Sequence, residues 1–211
     1  MMSEPRATLP DDRRRTAPIE QADPDRPYRI DWIEADALGD GAPGRLGLTF
    51  LPGKHGVSTR YPGLTYRRSL QHDLDAMRAL GVAYLLLLVE DAELEQWGDP
   101  EIVAAASAHG IVIRRHPVPD GGTPRSTDDM RGLLEELRAA RRSGNVAVAC
   151  MGGVGRTGLV AACALAATGL DAGTAIERVR AVRHPDAVET SGQQAFVERF
   201  AAEVRAASQP D

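Results

Sequence analysis

A short glycine-rich loop between an apolar strand and an apolar helix constrains this chain more than any other feature. Residues 145–163 read NVAVACMGGVGRTGLVAAC, which predicts a strand, then a loop from Cys150 to Arg156, then a helix. Three glycines within the loop allow the backbone to turn tightly with several N–H groups pointing inward. The positive end of the helix dipole lies at the same place, so the loop is predicted to bind an anion.

The two ends of this loop carry reactive side chains. Arg156 offers a planar fork that can hold two phosphate oxygens at once. Cys150, beside an arginine and at a helix N-terminus, is expected to ionise to a thiolate more readily than free cysteine does. A nucleophile inside an oxyanion-binding loop suits phosphoryl transfer through a cysteinyl-phosphate. A buried structural cysteine before an ordinary turn is the alternative.

Single residues exclude two other kinds of phosphate-binding loop. A nucleotide-binding loop of the form Gly-x-x-x-x-Gly-Lys-Ser/Thr needs glycine where Cys150 stands and lysine where Arg156 stands. A dinucleotide fingerprint, Gly-x-Gly-x-x-Gly, cannot be laid over the loop either. Neither class of nucleotide site is therefore predicted here.

The length and composition indicate one soluble globular domain. The chain has 211 residues, enough for one sizeable core and short for two. Residues 28–211 are predicted to form that single domain. Residues 1–27 are rich in Pro, Asp and Arg without an apolar period, so we expect a disordered or loosely attached tail.

Composition also excludes several function classes. The net charge of −5 gives no sign of nucleic-acid binding, and no apolar run reaches membrane-spanning length. Cys150 and Cys163 are the only cysteines, so there is no disulfide framework, and Cys163 is predicted to be a core residue. No metal-ligand spacing is present, so no metal is expected. Because a thiolate enzyme needs a reducing compartment, we expect a cytoplasmic protein.

The order of apolar segments predicts the fold class. Residues 28–33 and 46–51 alternate like two strands that could pair as a hairpin, and residues 52–64 are predicted as turn and loop. Apolar runs at residues 82–89 and 111–113, and the run before Cys150, have the length of buried strands, with helical periods between them. We therefore predict an α/β fold with a largely parallel central sheet flanked by helices.

A second informative loop follows the strand at residues 111–113. Asp120 stands there between a proline that stiffens one side and two glycines that loosen the other. A hinged loop of this kind could carry a general acid. The same composition is also very common in ordinary turns, so Asp120 by itself decides nothing.

A local group of basic side chains occurs before the first predicted helix. It consists of Lys54, His55, Arg60, Arg67 and Arg68. Such a group either steers an anionic substrate or forms an ordinary solvated surface.

Together, these residues resemble the cysteine-based protein tyrosine and dual-specificity phosphatases. Their Cys-x5-Arg-Ser/Thr signature is matched from Cys150 to Thr157, and Asp120 stands thirty residues earlier, in the place of their general acid. The likeness is strongest to the cyclin-dependent kinase-associated phosphatase group, through PDGGTP, GGVGR and LVAAC. It covers roughly residues 45–205. The resemblance implies a protein tyrosine phosphatase-like fold of the dual-specificity type, without metal or organic cofactor.

The resemblance also implies roles for single residues. Cys150 would attack phosphorus, Asp120 would protonate the leaving oxygen and then activate water, and Thr157 would hydrogen-bond the sulfur. Gln193 would lie near the hydrolytic water, although a glutamine at that place could instead close a helix capping box. The implied phosphate-binding residues are Met151, Gly152, Gly153, Val154, Gly155 and Arg156.

One residue departs from the family pattern. These phosphatases usually place a histidine directly before the nucleophilic cysteine, where it helps to order the loop and acidify the thiol, whereas this chain has Ala149. We therefore expect a less stabilised thiolate and slower turnover than in relatives. Ala149 also keeps open the alternative of a phospho-binding module with little turnover.

The leading hypothesis is a phosphatase for phosphotyrosine, with phosphoserine and phosphothreonine as further substrates. The second is a phosphatase for a non-protein ester, such as an inositol lipid or a nucleotide. Lipid phosphatases of this type tend to carry lysines in the loop, and this loop has none. A sulfurtransferase or arsenate reductase also uses a cysteine in an anion loop, but Asp120 and the lack of a resolving cysteine weigh against both. The expected partner is a phosphorylated protein or a small phosphate ester, without nucleic acid or membrane.

Overall fold

Strands and helices alternate along the described part of the chain, which comprises residues 21–59 and 61–208 of a computed structural model. The strands are β1 (Asp31–Ile33), β2 (Leu46–Phe50), β3 (His55–Val57), β4 (Thr65–Arg67), β5 (Val82–Leu87), β6 (Val112–Arg115) and β7 (Asn145–Cys150). The helices are α1 (Leu70–Ala79), α2 (Asp91–Trp97), α3 (Ile102–Ala108), α4 (Thr127–Ala140), α5 (Gly155–Ala166), α6 (Ala172–Val182) and α7 (Ser191–Ala207). A short 3-10 helix occupies Asp36–Leu38.

The central sheet has five strands in the order β1-β2-β7-β5-β6, which places β7 in the middle. Strand β1 is antiparallel to β2, as the predicted hairpin requires, and every other neighbouring pair is parallel. The prediction of an α/β fold with a largely parallel central sheet is confirmed. Because parallel strands end at the same sheet edge, the loops that follow β5, β6 and β7 meet there.

Helices cover both faces of this sheet, so β7 is buried in both directions. Val146 and Val148 pack into a core with α4, α5, α6 and α7. Ala147 and Ala149 pack into the other core, with α1, α2 and α3. Successive strand residues point to opposite faces, which explains why every residue of β7 after the first is apolar.

Four helices begin at side chains that satisfy a first-turn backbone N–H. The accepting side chains are those of Ser69, Ser126, Asp171 and Thr190. Helix α5 departs from the prediction, because it begins at Gly155 and includes Arg156 in its first turn. Arg156 is therefore anchored by a helix buried in the core rather than by a free loop.

The segment before α1 differs from its predicted turn and loop. It contains β3, which pairs antiparallel with β4 in a separate two-stranded sheet. Within the basic group, Lys54 and Arg68 are buried, so the solvated-surface interpretation is wrong for these two residues. Arg60 lies outside the described residues.

The N-terminal boundary also differs from the expectation in part. Of the predicted tail over residues 1–27, residues 1–20 lie outside the described residues. The remaining stretch contacts the domain, and its first two side chains, Gln21 and Ala22, are buried. Contacts with the domain are thus made by residues before the predicted boundary at residue 28.

Arg68 fastens this N-terminal stretch to the domain. Its guanidinium donates to the backbone oxygens of Asp23 and Arg26, at 2.8 and 3.1 Å. A buried ion pair fixes the guanidinium in turn, with a nitrogen 2.6 Å from a carboxylate oxygen of Asp73. The anchor matters for function because it holds the chain that carries Gln21 to the sheet edge where the loops converge.

Candidate active site

A cleft at the carboxyl edge of the sheet brings together the three side chains on which the predicted chemistry depends. Cys150 ends β7, Arg156 lies in the first turn of α5, and Asp120 lies in the loop after β6. All three line one cavity of about 150 Å³. Thr157 and Gln193, which the sequence analysis also assigns to the site, lie outside its lining.

The anion loop, residues 150–156, presents a set of backbone donors to this cleft. Gly153 has a φ of 67°, and a Cβ there would lie 2.4 Å from the carbonyl oxygen of Thr49, so only glycine fits. Within the described part of the chain, the backbone N–H groups of residues 152–156 have no acceptor. These amides and the N-terminal end of α5 are therefore available to an anion.

The buried Arg156 guanidinium is held by the groups around it. Its terminal nitrogens donate to the two carboxylate oxygens of Glu93, at 2.6 and 2.7 Å. One of them also donates to the Val118 carbonyl at 2.9 Å, and the other lies 3.0 Å from the Asp120 carboxylate. Burial acts to lower the pKa of Arg156, but the hydrogen bonds to Glu93 and the negative charges around the guanidinium together outweigh burial and raise that pKa. The arginine therefore stays positively charged.

Glu93 is a site residue that the sequence analysis missed. It lies in the first turn of α2, where its carboxylate also accepts from the backbone N–H of Glu90 at 2.9 Å. Burial acts to raise the pKa of Glu93, but the hydrogen bonds from Arg156 and from the Glu90 backbone, with the charge of Arg156, together outweigh burial, so the pKa falls below its usual value. A positional signal could have found it, because α2 follows β5 at the sheet edge where β7 delivers Cys150.

Two buried polar atoms beside the anion loop have no hydrogen-bond partner among the described residues, namely Arg156 Nε and Thr157 Oγ1. Buried polar groups are normally paired, so unpaired ones at a cleft indicate a place for a ligand. An oxyanion on the loop could accept from Arg156 Nε. The predicted contact of the Thr157 hydroxyl with the Cys150 sulfur is not made in this structure and stays a prediction.

The acid loop, residues 118–122, is held by two side chains at the start of α7. Thr190 Oγ1 donates to the Gly121 carbonyl at 2.9 Å, and Gln193 Nε2 donates to the Gly122 carbonyl at 3.1 Å. Gln193 also closes a capping box with Thr190, in bonds of 3.1 and 3.4 Å. Its contact with a hydrolytic water stays a prediction.

Polar side chains from the N-terminal half also contact the anion loop. Lys54 Nζ donates to the Met151 carbonyl at 3.1 Å and to Gln21 Oε1 at 3.0 Å. Gln21 Nε2 donates to the Gly152 carbonyl at 3.3 Å. Of the predicted basic group, Lys54 therefore brings positive charge to the cleft.

Cys150 and Cys163 are both free thiols, and burial raises the pKa of the Cys163 thiol, as expected of a core residue. Over residues 21–59 and 61–208, there is no group of three or more His, Cys, Asp or Glu side chains that could hold a metal ion. In the same residues, the helices are too short or too polar to cross a membrane.

A family model described as cyclin-dependent kinase inhibitor 3 (CDKN3) matches residues 11–173, which is most of the chain. The chain belongs to the cyclin-dependent kinase inhibitor 3 family. The member of that name from Rattus norvegicus is 29% identical over 181 residues, which cover 84% of this chain and 81% of the relative.

Solved structures of phosphatases share the fold of this family member. Kinase associated phosphatase (KAP), with serine in place of its catalytic-site cysteine, matches with a TM-score of 0.73 and 26% identity, over 86% of this chain and 98% of that one. Tk-PTP in its active form matches with a TM-score of 0.60 and 25% identity, over 77% and 95%. These findings confirm the resemblance stated from the sequence: the chain is a cysteine-based phosphatase of the protein tyrosine and dual-specificity class.

Replacing Glu93 by glutamine is expected to lower kcat/KM for an aryl phosphate by about 10-fold, since Arg156 loses its charged bidentate partner. The matched control is Glu95→Gln, which changes an exposed carboxylate on the same helix. Steady-state kinetics of both variants provide the measurement. Equal kcat/KM in the two variants would show that Glu93 does not orient the arginine.

The pH dependence of this pair has a defined direction. Because its folded-state pKa is lowered, Glu93 contributes stability that is present above its unfolded pKa and is lost as the pH falls through the lower folded value. Glu93 therefore stays ionised throughout the neutral and mildly acidic range. The ratio of wild-type to Glu93→Gln kcat/KM for an aryl phosphate should accordingly be the same at every pH in that range.

Proposed function

We propose that this family member hydrolyses phosphotyrosine in proteins, with phosphoserine and phosphothreonine as further substrates, through a cysteinyl-phosphate intermediate. One observation carries the proposal: a thiol, an arginine and a carboxylate share one cleft, with Asp120 3.0 Å from Arg156 and Cys150 in the same lining. These residue types match a nucleophile, an oxyanion binder and a proton donor.

Substrate binding would place three phosphate oxygens on the anion loop. The donors that lack a partner among the described residues are the backbone N–H groups of residues 152–156 and Arg156 Nε. Glu93 fixes the plane of the guanidinium, so the arginine need not reorganise as charge develops. The loop and the arginine supply the positive charge that metal ions supply in other phosphatases.

The chemistry then runs in two steps. First, the Cys150 thiolate attacks phosphorus, the S–P bond forms, the ester P–O bond breaks, and Asp120 gives its proton to the leaving oxygen. Second, water attacks the cysteinyl-phosphate, the Asp120 carboxylate accepts a proton, and the S–P bond breaks. The buried Thr157 hydroxyl is the proposed donor to the departing sulfur.

A phosphorylated protein is the proposed substrate class. Tyr61, Tyr66 and Trp97 line the cleft, and aromatic walls suit a phosphotyrosyl ring. The relatives are named after a cyclin-dependent kinase or a kinase, so a phosphorylated kinase is the first protein to test. A non-protein ester is the alternative, although the anion loop lacks the lysines that lipid phosphatases of this type tend to carry there.

We also propose that the catalytic unit is a single domain working in the cytoplasm. Two core clusters share one central sheet, and the cleft draws on residues from Gln21 to Glu189. A free nucleophilic thiol at Cys150 persists in a reducing compartment.

Substitutions of the nucleophile and the acid test the two steps. Cys150→Ser is expected to abolish hydrolysis of an aryl phosphate, because a hydroxyl at this position is not ionised. Asp120→Asn is expected to lower kcat by about 100- to 10,000-fold for poor leaving groups, which need a proton, and by much less for nitrophenol. Steady-state kinetics over a series of leaving groups provide the measurement.

The control for this pair is Asp128→Asn, which changes an exposed carboxylate in the first turn of α4. Full activity in Cys150→Ser would contradict the covalent intermediate. A deficit in Asp120→Asn that does not depend on the leaving group would contradict the role as acid.

Substrate class is tested by comparing esters. We expect kcat/KM for a phosphotyrosyl peptide to exceed that for soluble inositol phosphates by about 10-fold, since the aromatic walls contact the ring. Phosphate release at matched concentrations measures both. A higher value for the inositol phosphates would favour the non-protein alternative, and tight binding without turnover would favour a phospho-binding module.

Gln193→Glu separates the two roles considered for this side chain. Glutamate keeps an acceptor for the capping box but removes the amide donor to the Gly122 carbonyl. We expect the acid loop to loosen, so that kcat for poor leaving groups falls by about 10-fold while good leaving groups change less. Gln194→Glu is the control, because it removes an amide donor to the Val188 carbonyl, outside the acid loop.

A slower second step in Gln193→Glu, with an unchanged first step, would support the water-positioning role of Gln193. In that case the cysteinyl-phosphate would accumulate, seen as a burst of leaving group, and the leaving-group dependence would match that of the wild type.

A further inference from the structure

Ala149 stands directly before Cys150, at the position where the resemblance stated from the sequence implies a histidine that helps to order the loop. The Ala149 methyl group is buried in the core with α1, α2 and α3 and can donate no hydrogen bond. The side chain before Cys150 therefore gives the loop no hydrogen bond.

Arg183, directly after α6, contacts the loop at two carbonyl oxygens. Its Nε donates to the Gly153 carbonyl at 2.9 Å, and one terminal nitrogen donates to the Gly152 carbonyl at 3.2 Å. The packing is close, since a Cβ on Gly153 would lie 2.7 Å from that terminal nitrogen. The Arg183 side chain is only 5% exposed, so water competes little for these bonds.

Asp31 fixes Arg183 from the edge of the central sheet. Its carboxylate accepts from the other terminal nitrogen of Arg183 at 2.6 Å. All three guanidinium nitrogens are thus used, two on the loop and one on β1. Strand β1 pairs with β2, and β2 pairs with β7, so the sheet that ends in Cys150 also carries the support of its loop.

The held carbonyls decide where the loop amides point. In a trans peptide unit, a C=O and the N–H of the following residue point in opposite directions. The bonds at Gly152 and Gly153 therefore turn the N–H groups of Gly153 and Val154 away from Arg183. Those two amides belong to the set without an acceptor among the described residues.

We propose that Arg183, fixed by Asp31, is a positioning residue that holds the anion loop in its phosphate-binding shape. The inference rests on the proposed function of this loop as the phosphate site. Lys54 adds a further tie at the Met151 carbonyl. With the hydrogen bonds from Arg183 and Lys54 in place, the loop amides are ordered before an oxyanion arrives. This order lowers the entropic cost of binding the oxyanion.

The test measures oxyanion binding and catalysis separately in Arg183→Met, Arg183→Lys and a control. Arg180→Met is the matched control, because Arg180 Nε also donates to a backbone carbonyl, that of Ala187 at 3.0 Å, outside the loop. The probe is tungstate, titrated calorimetrically, beside kcat and KM for an aryl phosphate. Thermal unfolding of each variant checks the fold.

Arg183→Met is expected to weaken tungstate binding by about 10- to 100-fold, to raise KM and to lower kcat. Arg183→Lys is expected to lose nearly as much, because one ammonium group cannot span two carbonyls and a carboxylate. Arg180→Met is expected to bind as the wild type does. Asp31→Asn, which keeps Arg183 but weakens its anchor, is expected to show a smaller loss in the same direction and serves if Arg183→Met does not fold.

Equal tungstate affinity in Arg183→Met and Arg180→Met would overturn the proposal. Wild-type tungstate affinity in Arg183→Lys would also overturn the proposal, since the positive charge of residue 183 would then be sufficient without the hydrogen bonds of the guanidinium. If the wild-type protein neither binds tungstate nor hydrolyses the aryl phosphate, the proposed function itself fails. If the wild type does both and Arg183→Met does both equally well, only the positioning role fails.

Discussion

The rest of the site depends on the pairing of the buried Arg156 guanidinium with the groups around it. Removing a guanidinium from water costs on the order of several kcal/mol unless it is paired. Glu93 supplies the pairing from α2, while Val118 and Asp120 supply it from the acid loop. Because the arginine belongs to a helix buried in the core, these contacts fix three separate segments against one another. The cleft is thereby organised before a substrate enters, which is the condition for electrostatic catalysis without reorganisation.

The two carboxylates on Arg156 differ in a way that suits catalysis. Glu93 binds with both oxygens, has a second contact at Glu90 and has a side chain only 13% exposed. Asp120 makes one contact, and its side chain is 81% exposed. An arriving phosphate can therefore replace Asp120 on the arginine more easily than it can replace Glu93. Binding would then free the acid for proton transfer while the guanidinium keeps its orientation.

The strand, the anion loop and the acid loop could be predicted because each depends on neighbours in the sequence. For Glu93, the position after β5 indicates only the helix, because Glu93 resembles any acidic residue in a first helical turn and its partner Arg156 lies 63 residues away. Gln21 stands in a stretch without an apolar period, and its contacts with Lys54 and the anion loop are visible only in the folded chain. The pairing of β3 with β4 leaves most of its side chains exposed, so no apolar alternation marks it.

The proposed support of the anion loop by Arg183 links the loop to a distant part of the fold. A histidine before the nucleophile would support the anion loop from within β7, the middle strand of the sheet. Support through Arg183 instead depends on α6 and on Asp31 in β1, which has three residues and lies at the sheet edge. Short edge strands open more readily than central ones. Loosening of β1 would therefore disturb the anion loop, although that strand contributes no residue to the lining of the cleft.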